Sequence, residues 1–215
     1  VGSPMFTAGQ SILMTGAEKG DKVLRDASFD VSAASTVQDF LDFLNAALGL
    51  HTGLGTNPDG RTPGVSIDAN GVISVDGNTG TTNNIELSAD ALRLVNPDGT
   101  LESLPFVPER VNDADGEAVR TTMVVYDSLG TPLNVDVSLV LDSRSNAGTT
   151  WRYFVDSGDD SDLTPAVTTG TISFGPDGQL ISADPVTVAL TRDGSGALTP
   201  LTFTLSFQSD AGRMT

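Results

Sequence analysis

The sequence predicts a mainly β protein with a single helix. Along residues 133–141, apolar side chains alternate with mostly polar ones, the two-residue period of a strand with one buried face. Pro-Asp-Gly turns at residues 58–60, 97–99 and 176–178 separate short apolar runs. Over about residues 35–49 the period becomes that of a helix. We therefore expect an N-terminal small α+β module and a C-terminal all-β antiparallel module resembling a sandwich or barrel.

Residues 121–141 are predicted to form a β-hairpin. The run Met123–Tyr126 is β-branched and aromatic, as suits a strand, and the alternating residues 133–141 follow as its partner. Between them, Asp127 can accept bonds from backbone amides ahead of it, and Gly130 can adopt a positive φ. The intervening residues therefore favour a tight turn.

Residues 35–49 carry the predicted helix. Its apolar stripe consists of Val37, Phe40, Leu41, Leu44, Ala47 and Leu48. Ser35 or Thr36 is a suitable N-cap, Asp39 lies in the first turn, and Gly49 can end the helix. A stripe with this spacing is typical of core packing, and we assign it to the core rather than to a partner-binding face.

The boundary between the two modules is predicted within residues 101–117. Pro105 and Pro108 enclose a short extended piece, and a polar Asn-Asp-Ala-Asp-Gly run follows. We expect a small α+β module over residues 1–104 and an all-β module over residues 105–215. The link between them is where we expect internal flexibility.

The composition excludes several classes of function. The formal net charge is -17, with 5 basic and 13 acidic side chains in residues 1–105 and 6 and 15 in residues 106–215. Such evenly spread acidity favours solubility and would repel nucleic acid and anionic membranes. The absence of cysteine excludes disulfides and thiolate metal sites. No apolar run approaches the roughly 20 residues of a membrane span, and we recognise no signal-peptide pattern.

Two acidic groups suggest calcium as a candidate ligand. One contains Asp156, Asp159, Asp160 and Asp162, and the other contains Asp113, Asp115 and Glu117. Neither has the spacing of a calcium-binding loop. A loop with its glycine at Gly116 would begin at Val111, which has no side-chain oxygen, and would end at Thr122, where a glutamate belongs. We interpret these acids as solvated loop residues and predict no metal site.

The remaining polar groups do not form a catalytic constellation, so we predict no enzyme. His51, the sole histidine, follows the helix, and we expect it to cap carbonyls or face solvent. No serine lies in a nucleophile-elbow context, and no phosphate-binding glycine loop is present, so no cofactor is predicted. Trp151 alternates with Tyr153 and Val155, which favours packing in the β core, with a sugar-binding platform as the alternative.

The predicted turn also carries a resemblance to a known family. Its residues Tyr126, Asp127, Ser128, Leu129 and Gly130 resemble an element that recurs between two strands in the middle region of bacterial flagellar hook proteins. Three further segments resemble this family in the expected order. They are residues 151–155 with Trp151, residues 172–180 with Phe174 and Gly178, and residues 201–207 with Phe203 and Phe207. Residues 8–12, 36–44 and 77–80 are similar to a domain inserted in longer hook proteins.

The resemblance implies a structural subunit of the bacterial flagellar hook. This hook is a curved tubular polymer that acts as a flexible joint and transmits torque from rod to filament. The implied partners are other copies of the subunit and other flagellar axial proteins, without nucleic acid or membrane. The implied location is the extracellular flagellum, reached without a cleaved signal peptide.

Two alternatives stay open at this point. One is an extracellular β-rich adhesin or carbohydrate-binding module, and the other is a different axial component, such as the rod. Family hook subunits build their inner tube from long terminal helices. We find no such heptad pattern in these residues, so we expect the isolated chain to be monomeric.

Overall fold

The fold is mainly β with one α-helix, which confirms the predicted fold class. A computed structural model describes residues 5–183 and 185–208. The outer ends of the two predicted modules, residues 1–4 and 209–215, lie outside the described residues. Among the described helices, none is long and apolar enough to cross a membrane.

The N-terminal part consists of short antiparallel strands around the helix. Its strands are β1 (Ser11–Met14), β2 (Glu18–Lys19), β3 (Lys22–Val23), β4 (Ala27–Asp30), β5 (Gly64–Ile67), β6 (Ile73–Asp76), β7 (Ile85–Glu86), β8 (Leu92–Val95) and β9 (Leu101–Ser103). They form a four-stranded sheet in the order β4-β1-β8-β9, a three-stranded sheet β3-β2-β7 and the hairpin β5-β6. One turn of 3-10 helix spans Thr81–Asn83.

Helix α1 spans Val37–Ala47, inside the predicted range. Thr36 is its N-cap, because the Thr36 hydroxyl accepts from the Asp39 amide (3.2 Å) while Asp39 Oδ2 accepts from the Thr36 amide (2.7 Å). Gly49 follows with φ +61°, a conformation that favours glycine. The predicted apolar stripe differs from the structure at two positions. Val37, its first residue, is exposed, and Phe43, which the stripe did not include, is buried.

The core of the N-terminal part lies between α1 and the four-stranded sheet. The rings of Phe40 and Phe43 lie 5.7 and 5.6 Å from that of Phe29 on β4. Ile12 and Met14 on β1 are almost completely buried beneath them. The helix therefore packs in the core, as its spacing predicts.

The C-terminal part is a two-layer antiparallel sandwich. Its strands are β10 (Ala118–Tyr126), β11 (Pro132–Ser145), β12 (Gly148–Asp156), β13 (Ala166–Phe174), β14 (Leu180–Ala183), β15 (Val186–Leu190) and β16 (Leu201–Leu205). Strands β10 to β14 form one sheet in chain order, and β15 pairs with β16. The core between the layers includes Val135 and Val155 from the large sheet and Val188 and Leu190 from the small one.

Strand β11 has buried residues on both faces, which its alternating pattern does not predict. Leu133, Val135 and Val137 lie in the sandwich core as expected. Ser138 and Val140 point to the opposite face and are completely buried. The reason is that the N-terminal part covers this outer face of the large sheet. The large sheet therefore lies between two layers rather than having one face in water.

The connecting segment, residues 104–117, makes backbone bonds to both parts. The Asp115 carbonyl oxygen accepts from the Gly80 amide at 2.8 Å. Two residues later, the Glu117 carbonyl oxygen accepts from the Leu141 amide at 2.9 Å. These bonds attach the segment to the N-terminal loop on one side and to β11 on the other.

Candidate functional site

The Tyr126–Gly130 element is the turn between β10 and β11. Gly130 has φ +80°, and its amide donates to the Asp127 carbonyl oxygen at 3.0 Å. The Asp127 side chain accepts from two amides ahead of it, those of Leu129 (2.9 Å) and Thr131 (3.0 Å). Asp127 and Gly130 therefore act as expected from their residue types, and they fix the register in which Tyr126 pairs with Pro132.

This turn also binds the loop between β15 and β16, which sequence analysis did not reveal. Arg192 Nη2 donates to Asp127 Oδ2 at 3.2 Å, and the Leu198 amide donates to Ser128 Oγ at 2.7 Å. The Asp127 side chain is 1% exposed. The Thr131 amide lowers the pKa of Asp127 most strongly, burial opposes this effect, and the Leu129 amide and Arg192 lower it further. The turn thus joins the two layers of the sandwich.

The other family-motif residues are distributed through the sandwich. Phe207 is buried with its ring 5.0 Å from that of Tyr153, while Phe174 and Phe203 pack at the edge of the same core. Gly178 occupies an exposed turn with φ +76°. Trp151 is partly buried, and its indole nitrogen donates to Thr149 Oγ1 at 3.1 Å. These side chains serve packing and turn geometry, and the structure does not gather them into one site.

A second cluster lies at the far end of β12, where the N-terminal part covers the large sheet. Asp156 is buried there, and Lys19 Nζ lies 3.1 and 3.0 Å from its two carboxylate oxygens. Lys19 Nζ also donates to the Gly49 carbonyl oxygen at 2.7 Å. His51 Nε2 donates to Asp156 Oδ1 at 2.9 Å, since an ionised carboxylate offers only acceptors. We call Lys19, His51 and Asp156 the buried charge cluster.

The buried charge cluster keeps Asp156 ionised. Burial alone would raise the pKa of Asp156, because a charged carboxylate loses its hydration. The positive charge of Lys19 and the hydrogen bond from His51 outweigh this effect, and the pKa is lowered. Asn78 supports the arrangement, because its side-chain amide accepts from the His51 amide (2.9 Å) and donates to the His51 carbonyl oxygen (2.8 Å).

Arg120 makes a further set of bonds across the same interface. Its side chain donates to Ser138 Oγ at 3.1 Å on the large sheet and to the Lys19 carbonyl oxygen at 3.3 Å on the N-terminal part. It also donates to the Thr82 carbonyl oxygen and pairs with Asp21. A side chain from β10 therefore reaches into the N-terminal part. Neither Arg120 nor Lys19 stands out in the sequence as a residue of such an interface.

The N-terminal part also approaches the sheet closely through a glycine. Gly80 has φ +96° and is buried against Val140. A Cβ at Gly80 would lie 2.5 Å from Val140 Cγ2, so no larger residue fits without movement. The interface therefore combines charge pairing with close apolar contact.

The C-terminal part matches a known protein family. The family model of the flagellar basal body protein FlaE D2 domain matches residues 96–215, more than half of the chain. The chain belongs to this flagellar hook protein family. The match confirms the predicted resemblance to this family and includes all the strands of the sandwich. No curated protein matches the chain significantly.

Membership of the hook family gives the chain a structural class. The family is structural rather than enzymatic, and its members polymerise into an axial structure of the flagellum. The match begins at Asn96, so Lys19 and His51 lie before it and Asp156 lies within it. The buried charge cluster therefore joins the matched hook region to residues outside the match.

The interpretation of the loop acids as solvated residues is wrong for two members of the first group. Asp156 belongs to the buried charge cluster, and Asp160 is 4% exposed. Asp160 Oδ1 accepts from the amides of Asp162 (3.2 Å) and Thr191 (3.1 Å). Burial raises the pKa of Asp160, and the negative charge of Asp162 adds to this effect. Asp160 therefore links the loop after β12 to the residue that follows β15, by accepting one backbone amide from each.

The second acidic group lies on the surface. Asp113 pairs with Arg110 (2.7 Å), and Glu117 pairs with Arg144 (3.1 Å).

The expectation that His51 caps carbonyls or faces solvent is wrong, because its ring is buried, with its centre 5.2 Å from that of the Phe154 ring. Within residues 5–183 and 185–208, no group of three histidine or acidic side chains could hold a metal ion.

A cavity of about 330 Å³ opens between the two parts beside the buried charge cluster. Two of the carboxylates that line this cavity already have partners within the protein. Asp136 lies 3.3 Å from Lys22, and Asp159 Oδ2 accepts from the Asn134 amide at 2.7 Å. Both carboxylates therefore already hold a donor at the wall of the cavity.

Proposed function

We propose that this chain is the surface-exposed part of a flagellar hook subunit. In the assembled hook, copies of it would form a flexible joint that transmits torque from rod to filament. The observation that carries the proposal is the hook-family match over residues 96–215, which spans the complete sandwich. The proposed partners are further copies of the subunit and the adjoining axial proteins, in the extracellular part of the flagellum.

We further infer that residues 1–104 form an inserted module attached to a hook-type module over residues 105–215. Two observations support this division. The apolar cores of the two parts are separate, one centred on α1 and the other inside the sandwich. The contact between them is polar at Lys19 and Asp156 and apolar at Val140 and at Phe154, which packs against His51.

Torque transmission favours a subunit that moves as one rigid body. The buried charge cluster and Arg120 bind the N-terminal part to the large sheet, and residues 104–117 are attached to both. Relative movement of the two parts would break these bonds and open the close contact between Gly80 and Val140. The sequence suggests flexibility both in the link over residues 105–116 and in weak contacts between copies, and we assign bending to the contacts between copies.

The acidic surface supports reversible contacts between copies. With a charge of -17 on each chain, neighbouring copies repel each other, which keeps their contacts weak enough to slide as the hook bends. Added salt screens this repulsion. The bending stiffness or the helical form of assembled tubes should therefore change with salt. If neither responds, the electrostatic part of the proposal is wrong.

The location of the protein tests the proposal most directly. An antibody raised against the 215-residue chain, visualised with gold in electron micrographs, should label the short curved segment between cell surface and filament. Label along the filament, on purified rods without hooks, or over the cell surface would contradict it. Deleting the gene should leave cells without hooks and filaments.

A further inference from the structure

Two large apolar side chains stand exposed where the turn between β10 and β11 meets the loop before β16. Leu129 in the turn is 64% exposed, and Leu198 in the loop is 76% exposed. We call these two residues the tip patch. Scattered exposed apolar residues are normal on protein surfaces, but a group of them marks a candidate contact surface.

The tip patch is held in place from both sides. The Leu198 amide donates to Ser128 Oγ at 2.7 Å, which brings the two loops together. The position that a Cβ would take at Gly196 lies 3.9 Å from Leu129 Cδ1. Below them, the buried pair of Asp127 and Arg192 ties the same loops to each other. A contact surface that is already ordered loses little conformational entropy on binding.

The tip patch is also an uncharged area on a strongly acidic chain. Residues 128–133 and 194–203 contain no ionisable side chain. Asp127 is buried and neutralised by Arg192, and the exposed Asp193 lies at the margin. Two copies that each carry a charge of -17 repel each other least where their surfaces are uncharged. An apolar centre with a polar rim is the usual composition of a protein interface.

We propose that the tip patch is a contact surface for a second copy of this chain in the assembled polymer. This inference rests on the proposed function, because it requires that copies assemble. A tube of identical subunits in one orientation uses heterologous contacts, so the patch meets a different surface of its neighbour.

Site-specific cross-linking in assembled hooks tests this contact. The chain has no cysteine, so Leu129→Cys or Leu198→Cys introduces the only thiol of this chain. A benzophenone attached to that thiol should, on irradiation, give dimers and larger products. Mass spectrometry of the products should place the second end on another copy of the same chain. Ile181→Cys on β14 is the matched control, because Ile181 is 63% exposed but lies on the opposite edge of the large sheet.

A second pair of variants covers the case in which the label disturbs assembly. The double variant Leu129→Asp with Leu198→Asp adds charge to the patch and should lower the number of hooks per cell at least tenfold. Ile181→Asp should change it less than twofold. Circular dichroism of the purified chain checks that the variants remain folded.

The possible outcomes separate the two proposals. If hooks form but positions 129 and 198 cross-link no more than position 181, and the aspartate variants assemble normally, the contact proposal is overturned. Cross-links to a protein other than this chain overturn it as well. If the labelled protein is absent from the flagellar polymer, the proposed function itself fails.

Discussion

Lys19 and Asp156 stand 137 residues apart in the sequence, yet Lys19 Nζ lies within 3.1 Å of both carboxylate oxygens. Both side chains are buried at the contact between the N-terminal part and the large sheet. Removing one partner of a buried ion pair leaves the other as an uncompensated charge, which is far more costly than losing a surface pair. This contact therefore couples the folding of the two parts.

Lys19→Met should lower the free energy of unfolding by about 3–5 kcal/mol, because Asp156 would remain buried without its main counter-charge. Lys22→Met is the matched control. Lys22 pairs with Asp136 at 3.3 Å with 46% of its side chain exposed, so its loss should cost less than about 1 kcal/mol. Urea unfolding followed by circular dichroism measures both. Equal losses in the two variants would refute the assigned role of Lys19.

The same cluster should shape the acid sensitivity of the protein. The pKa of Asp156 is lowered in the folded state, against about 3.9 when unfolded. Its contribution to stability is therefore complete above the unfolded pKa and is lost as pH falls through the folded one. In Asp156→Asn this contribution is absent. The stability gap between wild type and variant should narrow as pH falls from 6 to about 2. Parallel curves would contradict this.

The features that can be predicted from the sequence are those formed by residues close together along the chain. The cap at Thr36 and Asp39 and the turn at Asp127 and Gly130 are decided within four residues, so their chemistry is visible in the sequence. The same reasoning gives the apolar stripe of α1 apart from its first residue.

The partners of the charged residues could not be predicted in this way. Lys19 belongs to a two-residue strand with no periodic pattern, and Arg192 lies 65 residues from Asp127. Charged side chains are mostly exposed, so sequence reasoning placed Asp156 and Asp160 in solvent. The burial of Asp156 follows from the covered outer face of the large sheet, and Asp160 is buried where its loop meets Thr191. Both depend on how distant parts of the chain pack.

The two roles of Asp127 can be separated by substitution. Asp127→Asn keeps a side-chain oxygen for the Leu129 and Thr131 amides but loses the charge opposite Arg192. Asp127→Ala loses both. The midpoint of urea unfolding should therefore fall in the order wild type, Asp127→Asn, Asp127→Ala.

Asp177→Ala provides the control for that series. Asp177 accepts one backbone amide, that of Gln179 (3.1 Å), in an exposed turn. Its replacement should shift the midpoint less than Asp127→Ala does. If the two alanine variants are equally stable, the contact between the turn and Arg192 contributes nothing measurable.

Gly80→Ala tests the close approach of the N-terminal part to the large sheet. The added methyl group would lie 2.5 Å from Val140 Cγ2, so the loop or β11 must move. Overpacking of this kind costs about 1–3 kcal/mol, and a side chain at φ +96° and ψ 140° adds about 1–3 kcal/mol of backbone strain. Gly60→Ala is the control, because Gly60 also has a positive φ (+85°) but has no atom within 4 Å of the new Cβ. The difference between the two free energies of unfolding measures the contact with Val140 together with the backbone strain at Gly80. If both variants lose the same free energy of unfolding, Gly80 is not in close contact with Val140. The attachment of the N-terminal part then depends on the buried charge cluster and Arg120.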